Sequence, residues 1–95
     1  MYLENIKIVT VGEVRSGVSS TTGKPWSSRN ILLSFADECG ENYILAGVAE
    51  DVWRRLGLEA GAVASLHLRV RTNRWASGYV ANDIRIVLPE NAQQS

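Results

Sequence analysis

The chain of 95 residues is long enough for one folded domain and too short for two ordinary ones. Hydrophobic residues make up 45% of it and charged residues 21%, which is typical of a globular protein and excludes a largely disordered chain. Ten basic and ten acidic residues cancel, so a nucleic-acid site would have to be a local patch and not a general positive field.

The single cysteine and the single histidine limit the chemistry that the chain can support. Cys39 has no partner for an internal disulfide, and Cys39 with His67 gives too few soft ligands for a metal site. The first residues carry Glu4 and lack the apolar core of a signal peptide, and no segment approaches the roughly 20 apolar residues of a membrane-spanning helix. We therefore expect a cytoplasmic protein with no membrane partner, metal or other cofactor.

The first third of the chain predicts one long bent strand followed by a long loop. Residues 6–18 are rich in β-branched side chains, and Gly12 interrupts their alternation, as a glycine at a bulge does. Residues 16–28 combine two glycines, a proline and a run of serines and threonines, which is the composition of turns.

Two strands joined by a hairpin are predicted next. Residues 29–35 and 42–48 are extended apolar runs, and the polar residues 37–41, which include a glycine, connect them. We expect Phe35 in the core. Tyr43 suits either the core or an exposed stacking surface, depending on strand register.

A short helix is predicted over residues 49–56, because Val52 and Leu56 lie four residues apart and Gly57 follows. Trp53 lies beside Val52, so we expect it to pack against the strands. The same segment places Asp51 and Arg55 at the spacing of a helical ion pair.

The remaining chain predicts two more strands. Residues 63–71 alternate strictly between an apolar face and a basic face. After the short connection 72–78, residues 79–88 offer an apolar set on one side, with Asp83 and Arg85 on the other.

Three strands, a short helix and two strands predict an all-β fold, a five-stranded Greek-key barrel of the oligonucleotide/oligosaccharide-binding (OB) type with one helix between strands three and four. The domain is predicted over residues 1–90, with a disordered tail at 91–95. An SH3-like barrel is the main alternative, but it lacks a helix of two turns at this place.

A tryptophan lies in each of the two loops that flank the ligand groove of an OB barrel. Aromatic faces stack on unpaired bases while cations neutralise phosphates, so a tryptophan beside basic residues favours binding of single-stranded nucleic acid. The predicted binding residues are Lys24, Trp26, Arg29, Arg69, Arg71, Arg74, Trp75 and Tyr79. Arg15 and Arg85 are further cations on the predicted strands.

Other interpretations of these residues stay open. The tryptophans would equally suit caps over the barrel ends, or an interface between subunits in a protein-interaction module. An oligosaccharide or peptide would also use aromatic platforms, without requiring arginines.

No residue pattern favours catalysis. His67 has no obvious nucleophile to work with, and the paired acids Asp37-Glu38 and Glu50-Asp51 are sequence neighbours that do not converge on a substrate. The chain also lacks a phosphate-cradling glycine motif. We expect a non-enzymatic protein without a small-molecule substrate.

The combined pattern of Gly23-Lys24-x-Trp26, Leu68-Arg69-Val70-Arg71, Trp75, Tyr79 and Ile84-Arg85-Ile86 resembles short bacterial OB-fold proteins of unassigned function that are related to single-stranded-DNA-binding protein. The likeness extends over about residues 8–88. It implies the OB fold and a homodimer or tetramer, since such barrels commonly pair and so cover their strand edges. The two tryptophan loops with their cations favour single-stranded DNA, before RNA, as the ligand.

Overall fold

The structure, a computed structural model, describes residues 1–89 and consists mostly of β-strands. Its elements are β1 (Tyr2–Val11), β2 (Arg15–Val18), β3 (Pro25–Asp37), β4 (Gly40–Ala49), α1 (Glu50–Leu56), β5 (Val63–Arg74) and β6 (Val80–Val87). The strand-rich class and the short helix before the last two strands are confirmed. Residue 90 and the predicted tail, residues 91–95, lie outside the described residues.

All six strands belong to one sheet, in the order β1-β5-β6-β4-β3-β2. Strand β1 has a further neighbour, because it also pairs with β3. The pairings are antiparallel except that of β4 with β6, which is parallel and joins Gly47 to Arg85. This parallel contact links the β3–β4 hairpin to the β5–β6 hairpin.

The prediction of five strands is corrected to six in the described residues, because the first predicted strand divides into β1 and β2. The break contains Gly12, whose N–H donates to the carbonyl oxygen of Asn30 at 2.8 Å. A Cβ atom placed on Gly12 would lie 2.6 Å from that oxygen, so a glycine is needed for this close approach. Gly12 is therefore at the predicted bend.

The prediction of a loop over residues 16–28 is wrong at both of its ends. Strand β2 pairs with the first residues of β3, from Arg15 opposite Ser28 to Val18 opposite Pro25. Only the turn between them is a loop, and there the Ser19 N–H donates to the carbonyl oxygen of Lys24 at 2.9 Å. The turn-like composition predicts a loop that is too long, because small polar residues also occupy β2 and the exposed start of β3.

The core is one cluster to which β1, β3, β4, β5, β6 and α1 contribute. Its buried members are Ile6, Ile8, Ile31, Leu33, Ala46, Val48, Trp53, Leu66, Leu68 and Ile86. The strand residues among them alternate with outward-facing neighbours, as β geometry requires. Phe35 packs against the cluster from a half-buried position, in agreement with its predicted place.

Helix α1 packs its indole, Trp53, into the core and ends at Gly57, as predicted. Gly57 adopts the left-handed conformation, with φ 64°, and its N–H donates to the carbonyl oxygen of Trp53 at 3.3 Å. With seven residues α1 is far shorter than a bilayer is thick, and residues 1–89 contain no helix suited to crossing a membrane.

Candidate functional site

The outer surface of the sheet carries a row of side chains that crosses four strands. Asn30 of β3 pairs with Gly47 of β4, Gly47 pairs with Arg85 of β6, and Arg85 pairs with Arg69 of β5. Residues directly opposite each other in a sheet share a face. The neighbours of this row in sequence, such as Ile31 and Ile86, are buried, so the row itself lies on the outside.

Arg85 extends across the sheet from β6 towards β3. A Cβ atom placed on Gly47 would lie 3.7 Å from Nε and 3.9 Å from Nη2 of Arg85, and 3.9 Å from Oδ1 of Asn30. The guanidinium therefore lies beside the bare backbone of Gly47. Its ion pair with Asp83, at 3.8 Å, is longer than a hydrogen bond and joins two half-exposed side chains, so it neutralises the arginine only weakly.

Trp26 lies at the start of β3, on the same side of the strand as Asn30. It pairs with Gly17 of β2, and a Cβ atom on Gly17 would lie 2.9 Å from Cζ2 of the indole. The missing side chain of Gly17 thus leaves room for the ring. The indole stays 46% exposed.

Trp26 and Arg85 line one pocket, which we call the Trp26–Arg85 pocket. Its volume is about 370 Å³, and its walls are Trp26, Ser27, Ser28, Ala49 and Arg85. An aromatic ring and a guanidinium thus border the same opening, with small polar or methyl side chains between them. Such a pocket suits a ligand that combines a flat ring with a negative charge.

A second, smaller pocket continues the basic surface over β5 and β6. It has a volume of about 210 Å³ and is lined by Arg69, Arg71, Asp83, Arg85 and Val87. Arg69 lies directly opposite Arg85, and two like charges in such a position repel each other. Within the described residues Arg69 and Arg71 make no ion pair, so an anion bound here would relieve the repulsion.

Trp75 and Tyr79 form an exposed aromatic pair at the turn between β5 and β6. Their ring centroids are 5.0 Å apart and the rings are tilted by 44°. The Trp75 N–H donates to the carbonyl oxygen of Tyr79 at 2.9 Å, and Gly78, with φ 89°, allows the tight turn. The predicted connection 72–78 shortens accordingly, because β5 continues to Arg74.

Arg29 has a place that the prediction did not foresee. It lies opposite the buried Val48 and therefore faces the inner side of β3. Its Nε donates to Oε2 of Glu50 at 2.5 Å, its Nη2 to Oε1 at 3.0 Å and its Nη1 to the carbonyl oxygen of Gly12 at 3.3 Å. Its side chain is 25% exposed and that of Glu50 only 11%. We therefore leave Arg29 out of the candidate site.

This ion pair joins the helix to the bend between β1 and β2. Glu50 is the first residue of α1, and Arg54 adds a contact to its carboxylate at 3.3 Å. The helical ion pair in the structure thus joins Glu50 to Arg54, whereas the predicted pair was Asp51 with Arg55, one residue further along the helix. The hydrogen bond between Arg29 and Glu50 lowers the pKa of Glu50 and raises that of Arg29.

The structure thus gathers some predicted binding residues and separates others. Trp26 shares a pocket with Arg85, and Arg69 and Arg71 share another with the same Arg85. Lys24 lies exposed in the turn between β2 and β3, and Arg74 at the exposed end of β5.

Arg85, Asn30 and Gly47 were missing from the predicted binding residues. The alternation of the last strand already indicated an outward Arg85. A glycine inside a strand, as at position 47, signals a close approach by another group.

Tyr43 and His67 also face outwards. Tyr43 and Leu45 of β4 are both well exposed. A hydrogen bond to the Glu41 carboxylate raises the pKa of Tyr43. His67 contacts Tyr2, with ring centroids 4.6 Å apart and the ring planes tilted by 44°. Within residues 1–89 no group of acidic, histidine and cysteine side chains is arranged to hold a metal ion.

No protein-family model matches the chain, and a search of curated proteins finds no match.

We expect Glu50→Gln to lower the melting temperature at neutral pH and to lose this effect in acid. A carboxylate whose folded-state pKa is lowered adds stability above its unfolded pKa, about 4.3, and this stability is lost as the pH falls through the folded-state pKa. In acid the protonated Glu50 resembles glutamine. Thermal unfolding followed by circular dichroism at both pH values measures the difference.

Glu59→Gln, in the exposed connection before β5, is the matched control and should leave the melting temperature unchanged at both pH values. A loss of stability in Glu50→Gln that is equal at neutral and acid pH would show that the charge of Glu50 is not what stabilises the bend.

Proposed function

We propose that the sheet is a five-stranded OB barrel in which β1 and β2 act together as the first strand. Support comes from the pairing pattern, because successive neighbours lead from β1 through β3, β4, β6 and β5 back to β1. The helix between β4 and β5 fits this topology. Strands β3 and β4 are then the second and third barrel strands, which form the ligand face of OB domains.

On this face, we propose, the protein binds single-stranded nucleic acid without catalysis and with little sequence preference. The observation that carries the proposal is the Trp26–Arg85 pocket, where an exposed indole and a weakly paired guanidinium border one opening. Stacking on tryptophan accepts any base, and each stacked base contributes about 1–3 kcal/mol. Of the two nucleic acids, single-stranded DNA is proposed before RNA.

The arginines of the second pocket extend the contact along the phosphate backbone. Arg69, Arg71 and Arg85 line it together, and their charges face solvent. Lys24 and Arg74 add positive charge at the two hairpin ends. The net charge of zero agrees with such a local patch, because affinity then depends on the cations that contact phosphates.

The aromatic pair Trp75–Tyr79 is the proposed second stacking platform. Both rings are exposed, with 47% of Trp75 and 63% of Tyr79 accessible to solvent. Their contact with each other orients them without any ligand, so little side-chain entropy would be lost on binding.

A protein-interaction module is the second candidate, favoured by exposed apolar side chains on β4. Tyr43 and Leu45 are 59% and 62% exposed on the outer face, beside Leu32 of β3. In such a module the tryptophans would be buried between subunits. A homodimer or tetramer is compatible with both candidates.

We expect the tryptophan emission of the wild-type protein to be quenched when oligo-dT is added at low salt. Trp26→Ala and Trp75→Ala should each weaken binding by about 1–3 kcal/mol, since each removes one stacking platform. The double variant retains Trp53, which is 7% exposed in the core and serves as the internal control. Its emission should not respond to the oligonucleotide.

Quenching that persists in the double variant would remove both indoles from the site. Blue-shifted emission of the free wild-type protein, with no response to oligo-dT, would instead favour burial of the tryptophans between subunits.

We expect Arg69→Ala combined with Arg71→Ala to make binding less sensitive to salt. Each phosphate contact on a single strand contributes about 0.7 to the slope of log K against log salt concentration, so losing two should reduce the slope by about 1.4. Titrations at a series of salt concentrations measure it. Arg55→Ala, on the exposed side of α1, is the matched control, and an unchanged slope in the double variant would exclude these arginines.

A further inference from the structure

Gly47 is the one position in the row across the outer face where a side chain is absent. Its neighbours on the same side of β4 are Leu45 and Ala49. The guanidinium of Arg85 occupies the region in front of Gly47 and comes within van der Waals distance of where a Cβ atom would stand. Arg85 can thus extend over β4 because Gly47 has no side chain in its path.

The available space separates small from larger side chains at this position. A Cβ atom alone would meet Arg85 and Asn30 at 3.7–3.9 Å, which is ordinary contact. A γ atom stands about 1.5 Å further out, so a γ atom directed at Arg85 would come closer to the guanidinium than van der Waals contact allows, and a β-branched side chain carries two such atoms. Alanine therefore fits beside Arg85, whereas a β-branched residue displaces it.

We propose that the Trp26–Arg85 pocket holds one nucleotide unit, with its base on Trp26 and its phosphate on Arg85, and that Gly47 is the positioning residue that lets Arg85 reach this phosphate. The inference rests on the proposed function and deepens it. Gly47 acts through the absence of a side chain, which leaves room for the side chain of Arg85.

The charge of Arg85 is available for this role. Its ion pair with Asp83 is 3.8 Å long and half exposed, and Arg69 stands opposite as a repelling neighbour. The side-chain oxygen of Asn30 lies 3.9 Å from the same Cβ position on Gly47 and adds a polar group to this part of the surface. A phosphate entering beside Trp26 would be a stronger partner for Arg85 than Asp83 is.

The test compares Gly47→Val with Gly47→Ala and Arg85→Ala in oligo-dT titrations at low salt. Gly47→Ala, whose Cβ atom makes ordinary contact with Arg85, should lose far less affinity than Gly47→Val. Gly47→Val and Arg85→Ala should each lower the affinity by about ten- to a hundredfold, the range of one charge-assisted hydrogen bond. The double variant Gly47→Val/Arg85→Ala should lose no more than either single variant, because both changes remove the same contact.

Additive losses in the double variant would overturn the inference, since valine would then obstruct the ligand itself. Full affinity of Gly47→Val would overturn it as well. Valine is a good strand former, so β4 should persist. Circular dichroism checks this, and Gly47→Ser, with one γ atom, replaces the valine variant if β4 is disturbed.

A ligand-free measurement separates this inference from the proposed function. The ¹H–¹⁵N signal of the Arg85 Nε group should move in Gly47→Val and stay in place in Gly47→Ala. An unmoved signal in Gly47→Val would show that Gly47 does not position Arg85. A wild-type protein that fails to bind oligo-dT would refute the proposed function and the nucleotide pocket, while the Arg85 signal would still decide the role of Gly47.

Discussion

The parallel contact between Gly47 and Arg85 is the constraint on which the arrangement of the site depends. It joins the β3–β4 hairpin to the β5–β6 hairpin and sets which residues of the two hairpins share a face. Inside, this register puts Ala46 and Val48 in the same core as Ile86. Outside, it places Arg85 beside Gly47, where the arginine borders the same pocket as Trp26. A shift by one residue would exchange the two faces and lose both the core and the pocket.

Arg29 and Arg85 both lie within strands of the sheet, but their side chains point to opposite faces and therefore have different roles. Arg29 points inwards and forms an ion pair with Glu50 at the start of the helix. It also donates a hydrogen bond to the carbonyl oxygen of Gly12. Arg85 points outwards, and among residues 1–89 its ion-pair partner is Asp83, which is half-exposed and 3.8 Å away. The first arginine is paired within the fold and stabilises the bend between β1 and β2. The second keeps its charge available for a ligand.

Local pattern was sufficient to predict most of the regular elements. The strict alternation of residues 63–71 and the change of period at 49–56 predicted β5 and α1, because both depend on neighbours in sequence. The β2–β3 hairpin was missed, since its exposed strands consist of small polar residues that local chemistry cannot tell from a turn. The orientation of Tyr43 stayed open until the register was known.

The candidate site was predictable only in part, because its geometry joins residues distant in sequence. Trp26, Arg69 and Arg71 were predicted, and the structure places each of them in a pocket with Arg85. The pairing of Arg29 with Glu50 spans 21 residues and has no local signal. The approach of Arg85 to Gly47 depends on a contact between hairpins that are separated by the helix.

A titration with oligo-dT at low salt, followed through the ¹H–¹⁵N signals of the protein, shows whether the ligand binds at Trp26 and Arg85. We expect the largest changes on the Trp26 indole, Gly47 and the Arg85 Nε group, with further changes at Arg69, Arg71 and Trp75. Changes confined to the Tyr2 and His67 surface, or no change at any residue, would contradict the proposed binding site.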